Sequence, residues 1–363
     1  APKTARIFTF GIGDEVNTIL LDTISQEHRG ASAYVRPQQS IKEEVSAFYA
    51  KVGTPLLADL QLDFGGILVE EMYPYPLPDL FAGSQLVLVG RYRRGGQTTI
   101  TMRGTVNERT LSFTYPNVRF RETGGESFLP RLWATRKIGH LLAQIRLHGE
   151  NKELIDEIVA LSVRYGIMTP YTSFLVDEKE DVLTKEGRDK TAQKLYSEAV
   201  RATPAPSGAR AVEKSVEQKA LQESRIAAAP SSGEIKHVGN VTFILRSGVW
   251  VDTRYDPARM QTHKIRFGSE AYFALIQSHP AWGEYLSVGQ QVIVLLDGKV
   301  YEIAAEAGEE VALSTPTDTP APEPTPTPTL SPSATPTPGV TPAPTRGPTP
   351  WQRFWQWVKS LFE

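Results

Sequence analysis

Nearly half of the prolines in this chain fall in one run near its C-terminus, and this run limits where a folded core can lie. The chain has 363 residues and 27 prolines, and thirteen of these lie between Pro316 and Pro350, alternating with threonine, serine and alanine. Such a composition offers too few apolar side chains for a core and favours extended polyproline II backbone. The sequence therefore predicts a folded body that ends near residue 305 and a disordered Pro/Thr-rich stalk over residues 306–350.

The segment after the stalk has a strong amphipathic pattern. If residues 351–363 form a helix, one face carries these apolar side chains: Trp351, Phe354, Trp355, Val358, Leu361 and Phe362. Tryptophan prefers the headgroup boundary of a bilayer, and the segment is too short to span one. It is predicted to be an amphipathic Trp-rich helix that contacts a membrane surface. The alternative is a helix that docks on a partner protein or on the body of its own chain.

Charge and cysteine content exclude several kinds of chemistry. The net charge is -2, so no overall field attracts nucleic acid, and we expect no nucleic-acid partner. The chain has no cysteine, which excludes disulfides, thiolate zinc sites and a thiol nucleophile. The redox compartment stays open on this basis.

The first 53 residues have the pattern of strands that alternate with helices. Residues 7–10 and 34–35 are strand-like, and each run is followed by apolar residues at helical spacing. The order β-α-β-α is typical of a parallel sheet covered by helices. Two strands cannot bury two faces of a sheet, so we expect residues 1–53 to be the C-terminal part of a larger α/β domain.

The pattern changes twice before residue 180. Strand-like runs at 56–64, 85–92, 98–102 and 111–120 predict an antiparallel β-sandwich over residues 54–128. Residues 129–180 then predict a helical hairpin with a following strand, with Asn151 as an N-cap and Gly166 as a left-handed stop. Trp133 is expected in the core of this part.

The rest of the body separates into a polar stretch and a compact module. Residues 181–233 lack core periodicity and are interpreted as a semi-ordered polar linker, in which residues 211–229 have helical spacing but only a thin apolar stripe. Residues 234–305 predict a small α+β module, because Ser247-Gly248 and Asp297-Gly298 are two-residue hairpin signals between strand-like runs. Its expected core aromatics are Trp250, Tyr272, Phe273, Trp282 and Tyr285.

Two stretches resemble a known family. Residues 6–17 (RIFTFGIGDEVN) resemble the late strand and following turn of a von Willebrand factor A domain. Residues 132–138 (LWATRKI) and 161–176 (LSVRYGIMTPYTSFLV) resemble the segment after that domain in inter-alpha-trypsin inhibitor heavy chains and their bacterial relatives. The resemblance covers roughly residues 5–180. It identifies the chain as the C-terminal portion of a heavy chain-like protein.

The resemblance also implies what this chain lacks. In the family, an A domain lies between a β-sandwich of its own type, the VIT domain, and the downstream segment. The A domain carries a divalent-metal site built on a D-x-S-x-S loop, whose positions would precede residue 1. Asp22-Thr23-Ile24-Ser25 has the wrong spacing for that loop. We therefore expect no cofactor and no metal ligand in this chain, although the missing part of the A domain would bind a divalent metal.

Catalytic signatures are also missing from the sequence. The six histidines form no H-E-x-x-H motif, and no serine lies in G-x-S-x-G. We expect a non-enzymatic binding or adhesion protein, extracytoplasmic and either secreted or held at the cell surface, with a protein or extracellular-matrix ligand. The alternative is an intracellular or envelope assembly scaffold that acts through its A domain, and a hydrolase is the remote alternative.

Overall fold

The fold is of mixed α/β type, as predicted. A computed structural model describes residues 5–107, 109–169, 171, 182–201, 206–226 and 233–305. These residues form eight α-helices and fourteen β-strands in several sheets. The stalk and residues 351–363 lie outside the described residues.

The N-terminal α/β unit follows the predicted order. It comprises β1 (Thr9–Ile12), α1 (Thr18–Glu27), β2 (Ser32–Val35) and α2 (Ile41–Val52). The two strands pair in parallel. Each helix begins at a side-chain cap: Asn17 accepts a hydrogen bond from the Leu20 amide at 3.0 Å, and Ser40 accepts one from the Glu43 amide. The order β-α-β-α is thus confirmed, while its assignment to an A domain stays a prediction.

Residues 54–128 form antiparallel sheets. The strands are β3 (Pro55–Asp63), β4 (Val69–Tyr73), β5 (Leu80–Phe81), β6 (Val89–Tyr92), β7 (Gly96–Val106) and β8 (Arg109–Phe120). One sheet has the order β5-β3-β7-β8, and β4 pairs with β6. The sequence reading missed β4, which contains two adjacent glutamates, and it began β6 four residues early. The antiparallel pairing is observed, and the sandwich arrangement stays a prediction.

The helical hairpin is confirmed. It consists of α3 (Leu129–His148) and α4 (Lys152–Tyr165). Asn151 accepts a hydrogen bond from the Leu154 amide at 3.1 Å, and Gly166 ends α4 with a φ of 59°. Trp133 is buried, with 6% of its surface exposed. The strand expected afterwards falls mostly in residues 172–181, outside the described residues.

The polar linker predicted for residues 181–233 is wrong, because two packed helices lie there, of which only the second overlaps the helical spacing noted at 211–229. These are α5 (Lys185–Arg201) and α6 (Ala209–Gln222). Each buries a stripe of small side chains: Thr191 and Ala192 in α5, and Ala211, Val212 and Ser215 in α6. Such small residues give a weak periodic signal, yet they allow close packing. A Cβ added to Gly139 of α3 would lie 2.7 Å from the backbone nitrogen of Gln222, so α6 packs backbone-close against α3.

The C-terminal module is a mixed six-stranded sheet with two helices. Its elements are β9 (Ile235–Val238), β10 (Val241–Arg246), β11 (Val249–Asp252), β12 (Thr262–Arg266), α7 (Glu270–Ser278), α8 (Gly283–Leu286), β13 (Val292–Leu296) and β14 (Lys299–Ala304). The strand order is β12-β14-β13-β11-β10-β9. Ser247, Gly248, Asp297 and Gly298 all have positive φ, as the predicted two-residue hairpins require. The α+β module is thus present.

The expected aromatic core of this module is correct except at one position. Tyr272 is buried, and Trp250, Trp282 and Tyr285 pack against the same apolar cluster. Phe273 is 55% exposed, because it lies on the outer face of α7.

The module shares its core with the helical hairpin. Successive residues of a strand point to opposite faces of the sheet. In β10, Phe243 packs into the module, while Ile244 joins the apolar cluster that contains Ile155 and Ile158 of α4. Thr253 also donates a hydrogen bond to the backbone oxygen of Arg164 at 2.9 Å. These contacts fix the module against α4.

Candidate functional site

A cavity of about 700 Å³ lies where four parts of the chain meet. Its walls come from the α/β unit, the loop between β4 and β6, helix α3 and helix α6. The polar residues that matter most for its chemistry are Asp22, Ser32, Arg136, His140, Arg146, Ser215, Lys219 and Arg225. The chain therefore builds this site from positions that are far apart in the sequence.

Asp22 of α1 is the centre of a buried polar network at one wall. One carboxylate oxygen accepts hydrogen bonds from the hydroxyls of Ser32 and, at 2.7 Å, Tyr34. The other accepts from the Arg146 guanidinium and, at 2.6 Å, from the Ser215 hydroxyl. Asp22 thus connects the α/β unit to both α3 and α6.

The network keeps Asp22 ionised. Burial alone would raise the pKa of Asp22, but the charge of Arg146 and the hydrogen bonds from Ser215, Ser32 and Arg146 outweigh burial and lower this pKa. Burial and the neighbouring Asp22 carboxylate raise the pKa of Tyr34, so its phenol stays protonated and donates. A carboxylate held by four donors is poorly suited to take a proton from a substrate.

Arg136 of α3 is almost fully buried, with 3% of its surface exposed. Its guanidinium donates to three backbone oxygens: Ser224 at 2.8 Å, Val87 at 2.5 Å and Tyr73 at 3.2 Å. Burial, together with the positive charge of Arg225, lowers the pKa of Arg136. This arginine therefore carries a charge that no carboxylate in the described residues neutralises by direct contact.

Lys219 of α6 also has no carboxylate in direct contact among the described residues. Its ammonium donates to the backbone oxygen of Ser32 and, at 3.4 Å, to the Ser32 hydroxyl. Burial lowers the pKa of Lys219 despite the attraction of Glu223 and Asp22.

His140 also lines the cavity, packed against aromatic rings. Its ring centroid lies 5.4 Å from that of Tyr73 and 6.0 Å from that of Tyr75, and its Nε2 is 2.9 Å from the side-chain nitrogen of Gln144. Burial, followed by the charge of Lys137, lowers the pKa of His140, so the imidazole is neutral at pH 7. No carboxylate within the described residues contacts this ring to orient it as a general base.

A second buried polar site lies at the joint between the module and the hairpin. The Nδ1 of His237 is 3.1 Å from the Thr242 hydroxyl, while its Nε2 is buried and has no hydrogen-bond partner among the described residues. Burial and the charge of Arg131 lower the pKa of His237 to about 4. The imidazole at this joint is therefore neutral at pH 7.

The described residues contain no group of three or more histidine, aspartate or glutamate side chains placed to hold a metal. Asp22 is engaged with hydroxyls and a guanidinium, so it does not fit the metal-binding loop of an A domain. Within the same ranges, no helix combines the length and hydropathy needed to cross a bilayer. The contact residues predicted for the amphipathic C-terminal segment, from Trp351 to Phe362, lie outside the described residues.

Sequence reasoning missed the cavity and its network. Asp22 entered only as a failed metal motif, and Arg136 only as part of a family motif. The available signal was the buried-helix spacing of α3, which places Arg136 among apolar neighbours. A charged residue inside such a helix marks a position where burial must be offset by hydrogen bonds.

The parallel α/β unit, the antiparallel sheets and the helical hairpin define a multidomain protein of mixed α/β type. No protein-family model matches the chain. It is 26% identical over 212 residues to inter-alpha-trypsin inhibitor heavy chain H3 of Rattus norvegicus, covering 55% of this chain and 23% of that relative. It is 28% identical over 191 residues to heavy chain H4 of Sus scrofa, covering 48% of this chain and 20% of the relative.

Heavy chain H6 of Homo sapiens is 27% identical over 218 residues, which cover 55% of this chain and 16% of that protein. The chain is therefore inter-alpha-trypsin inhibitor heavy chain-like, and the resemblance inferred from its motifs is confirmed. It spans less than a quarter of the length of these relatives.

Proposed function

We propose that this chain is a non-enzymatic binding protein of the heavy chain-like type, extracytoplasmic and held at a surface by its C-terminal segment. The observation that carries the proposal is the Asp22 network together with the similarity to heavy chains. Three buried ionisable groups, Asp22, Arg136 and Lys137, join separate parts of the fold to one another. Such a body holds a contact surface in a fixed orientation.

The two joints support this proposal. At the first, Asp22, Arg146 and Ser215 connect the α/β unit to α3 and α6. At the second, Ile235 and Ile244 of the module share an apolar core with α4. A protein or extracellular-matrix ligand would then meet a preassembled surface, which lowers the entropic cost of binding.

In this proposal, residues 351–363 anchor the protein and the Pro/Thr-rich stalk, residues 306–350, acts as the spacer. In a helix, Trp351, Phe354, Trp355, Val358, Leu361 and Phe362 share one apolar face. Such a face binds at the headgroup boundary of a bilayer, and an extended proline-rich segment would hold the body away from that surface.

Co-flotation with phosphatidylcholine vesicles containing an anionic lipid tests the anchor. We expect the full chain to float and a chain ending at Pro350 to stay in the dense fraction. The matched variants are Trp355→Ala, on the apolar face, and Gln356→Ala, on the polar face. Trp355→Ala should weaken flotation, while Gln356→Ala should leave it unchanged. Equal flotation of the full and shortened chains would remove the membrane anchor from the proposal.

Hydrolysis assays test the proposal that the protein is not an enzyme. The purified chain is assayed for hydrolysis of ester, phosphoester and peptide substrates. We expect no turnover that responds to His140→Gln, because the neutral ring lacks a carboxylate partner in the described residues. Asp156 of α4, which pairs with Lys152 at 2.6 Å, is tested in the same way. Turnover that is abolished by His140→Gln or by Asp156→Asn would establish a hydrolase instead.

A further inference from the structure

The cavity has more cations than its own carboxylates can balance. Its lining includes three carboxylates, and each has a cation of its own. Asp22 pairs with Arg146, Asp79 with Arg6 at 2.5 Å, and Glu223 with Lys51 at 3.4 Å. The carboxylates of the lining are therefore all engaged.

Six cationic side chains line the same cavity: Arg29, Lys51, Arg136, Arg146, Lys219 and Arg225. Arg29 pairs with Asp59 outside the lining. Once the ion pairs are assigned, Arg136, Lys219 and Arg225 have no carboxylate within ion-pair distance in the described parts of the chain. Arg136 is buried and Lys219 is partly buried, and a protein rarely buries a charge without a counterion, because desolvation of an unpaired ion is costly.

Arg136 and Arg225 form the cationic end of the cavity. Arg136 bonds the backbone oxygen of Ser224, the residue directly before Arg225, so the two arginines meet at the same turn. The repulsion between them is felt at Arg136. Arg136 is fixed by three backbone oxygens, whereas Arg225 is exposed and forms no hydrogen bond within the described residues. Arg136 is thus preorganised, while the Arg225 guanidinium is free to move onto a ligand.

We propose that this cavity binds a small-molecule oxyanion, carried as a carboxylate or a phosphate, through Arg136 and Arg225, with Lys219 lining the same space. The Arg225 guanidinium presents paired donors that match the oxygens of carboxylate and phosphate. Arg136 adds its Nη2, because its Nε and Nη1 already donate to backbone oxygens. The volume of about 700 Å³ falls within the range of small-molecule sites. This proposal rests on the cavity and is independent of the membrane anchor.

Isothermal titration calorimetry on the full chain tests the proposal, with inorganic phosphate and citrate as separate probes in a buffer that contains neither. We expect at least one probe to bind saturably with one site per chain and to bind more weakly as sodium chloride rises. The probe that binds identifies the oxyanion as phosphate or carboxylate. The same probe should raise the melting temperature in proportion to its binding.

The variant Arg225→Gln removes the exposed guanidinium without disturbing a buried contact. It should weaken binding about tenfold or more, since hydrogen bonds to charged groups are the strong ones. The matched control is Arg94→Gln, an exposed arginine outside the lining, which should bind as the wild type does. Lys219→Met should also weaken binding. Absence of saturable binding by both probes, or equal binding by Arg225→Gln and wild type, would overturn the proposal.

Discussion

The Asp22–Arg146 pair offers the sharpest prediction about stability. Asp22→Asn keeps the shape of the side chain, removes its charge and leaves the Arg146 guanidinium without a carboxylate. The Asp22 and Arg146 side chains are 10% and 13% exposed, so solvent screens the pair weakly. Breaking a buried ion pair costs about 3–5 kcal/mol, and the polar amide favours the lower end of that range. With about 2 °C per kcal/mol for a body of this size, the melting temperature should fall by roughly 6 °C.

Circular dichroism melts at pH 7 measure this loss, and a double-mutant cycle isolates the pair. Arg146→Gln alone should also destabilise, while the double variant should lose about 2 kcal/mol less than the sum of the single losses. The more exposed pair Lys264–Glu302, with 3.7 Å between its charged atoms and a Lys264 side chain that is 58% exposed, is the control. Lys264→Ala should cost less than about 1 kcal/mol. Full additivity, or an Asp22→Asn melt that coincides with the wild type, would show that the Asp22–Arg146 pair does not stabilise the fold.

The pH dependence of the same variant gives a second check. The folded-state pKa of Asp22 is lowered, so its stabilising contribution is present above the unfolded value near 4 and is lost as pH falls through the folded value. The difference in melting temperature between wild type and Asp22→Asn should therefore be the same at pH 7 and pH 5 and shrink below about pH 4. A difference that vanishes already at pH 5 would contradict the lowered pKa.

Two further predictions concern the packing of α6 and of the C-terminal module. Gly139→Ala should lower the free energy of unfolding by about 1–3 kcal/mol in urea titrations, because its Cβ would lie 2.7 Å from the Gln222 nitrogen. Gly66→Ala is the control, since a Cβ at Gly66 meets no other atom of the described residues. Equal effects at both glycines would contradict the close approach of α6 to α3. The pKa of His237 is lowered to about 4 in the folded protein, against about 6.5 in the unfolded chain, so protonation between pH 6.5 and 4 favours the unfolded state. The wild-type free energy of unfolding should therefore fall by on the order of 2 kcal/mol relative to His237→Gln over this interval, with screening of the half-buried ring included. Parallel stability curves for the two proteins over that interval would show that the ring titrates normally.

Local features of the fold could be predicted from the sequence because their causes lie within a few residues. Asn151 caps α4 through the amide three positions on, and Gly166 ends the same helix because glycine tolerates positive φ. The hairpin at Ser247-Gly248 has the same local origin. These features depend on backbone geometry that neighbouring side chains dictate.

The candidate site could not be predicted because its contacts are distant in sequence. Asp22 meets Arg146 across 124 positions and Ser215 across 193 positions. Helix α6 was interpreted as linker since its buried stripe consists of Ala211, Val212 and Ser215, which carry little hydropathy. Only the packed structure shows that these small residues allow a close approach to α3.

Hydrogen–deuterium exchange across α6 shows whether this helix is packed into the body, where it supplies Ser215 and Lys219 to the cavity and joins the α/β unit to α3. We expect the amides of Ala209–Gln222 to be protected to a degree comparable with those of α3, and Asp22→Asn to lower the protection of α6 first. Exchange of α6 at the rate of an unfolded peptide in the wild-type chain, with α3 still protected, would show that α6 does not join the α/β unit to α3.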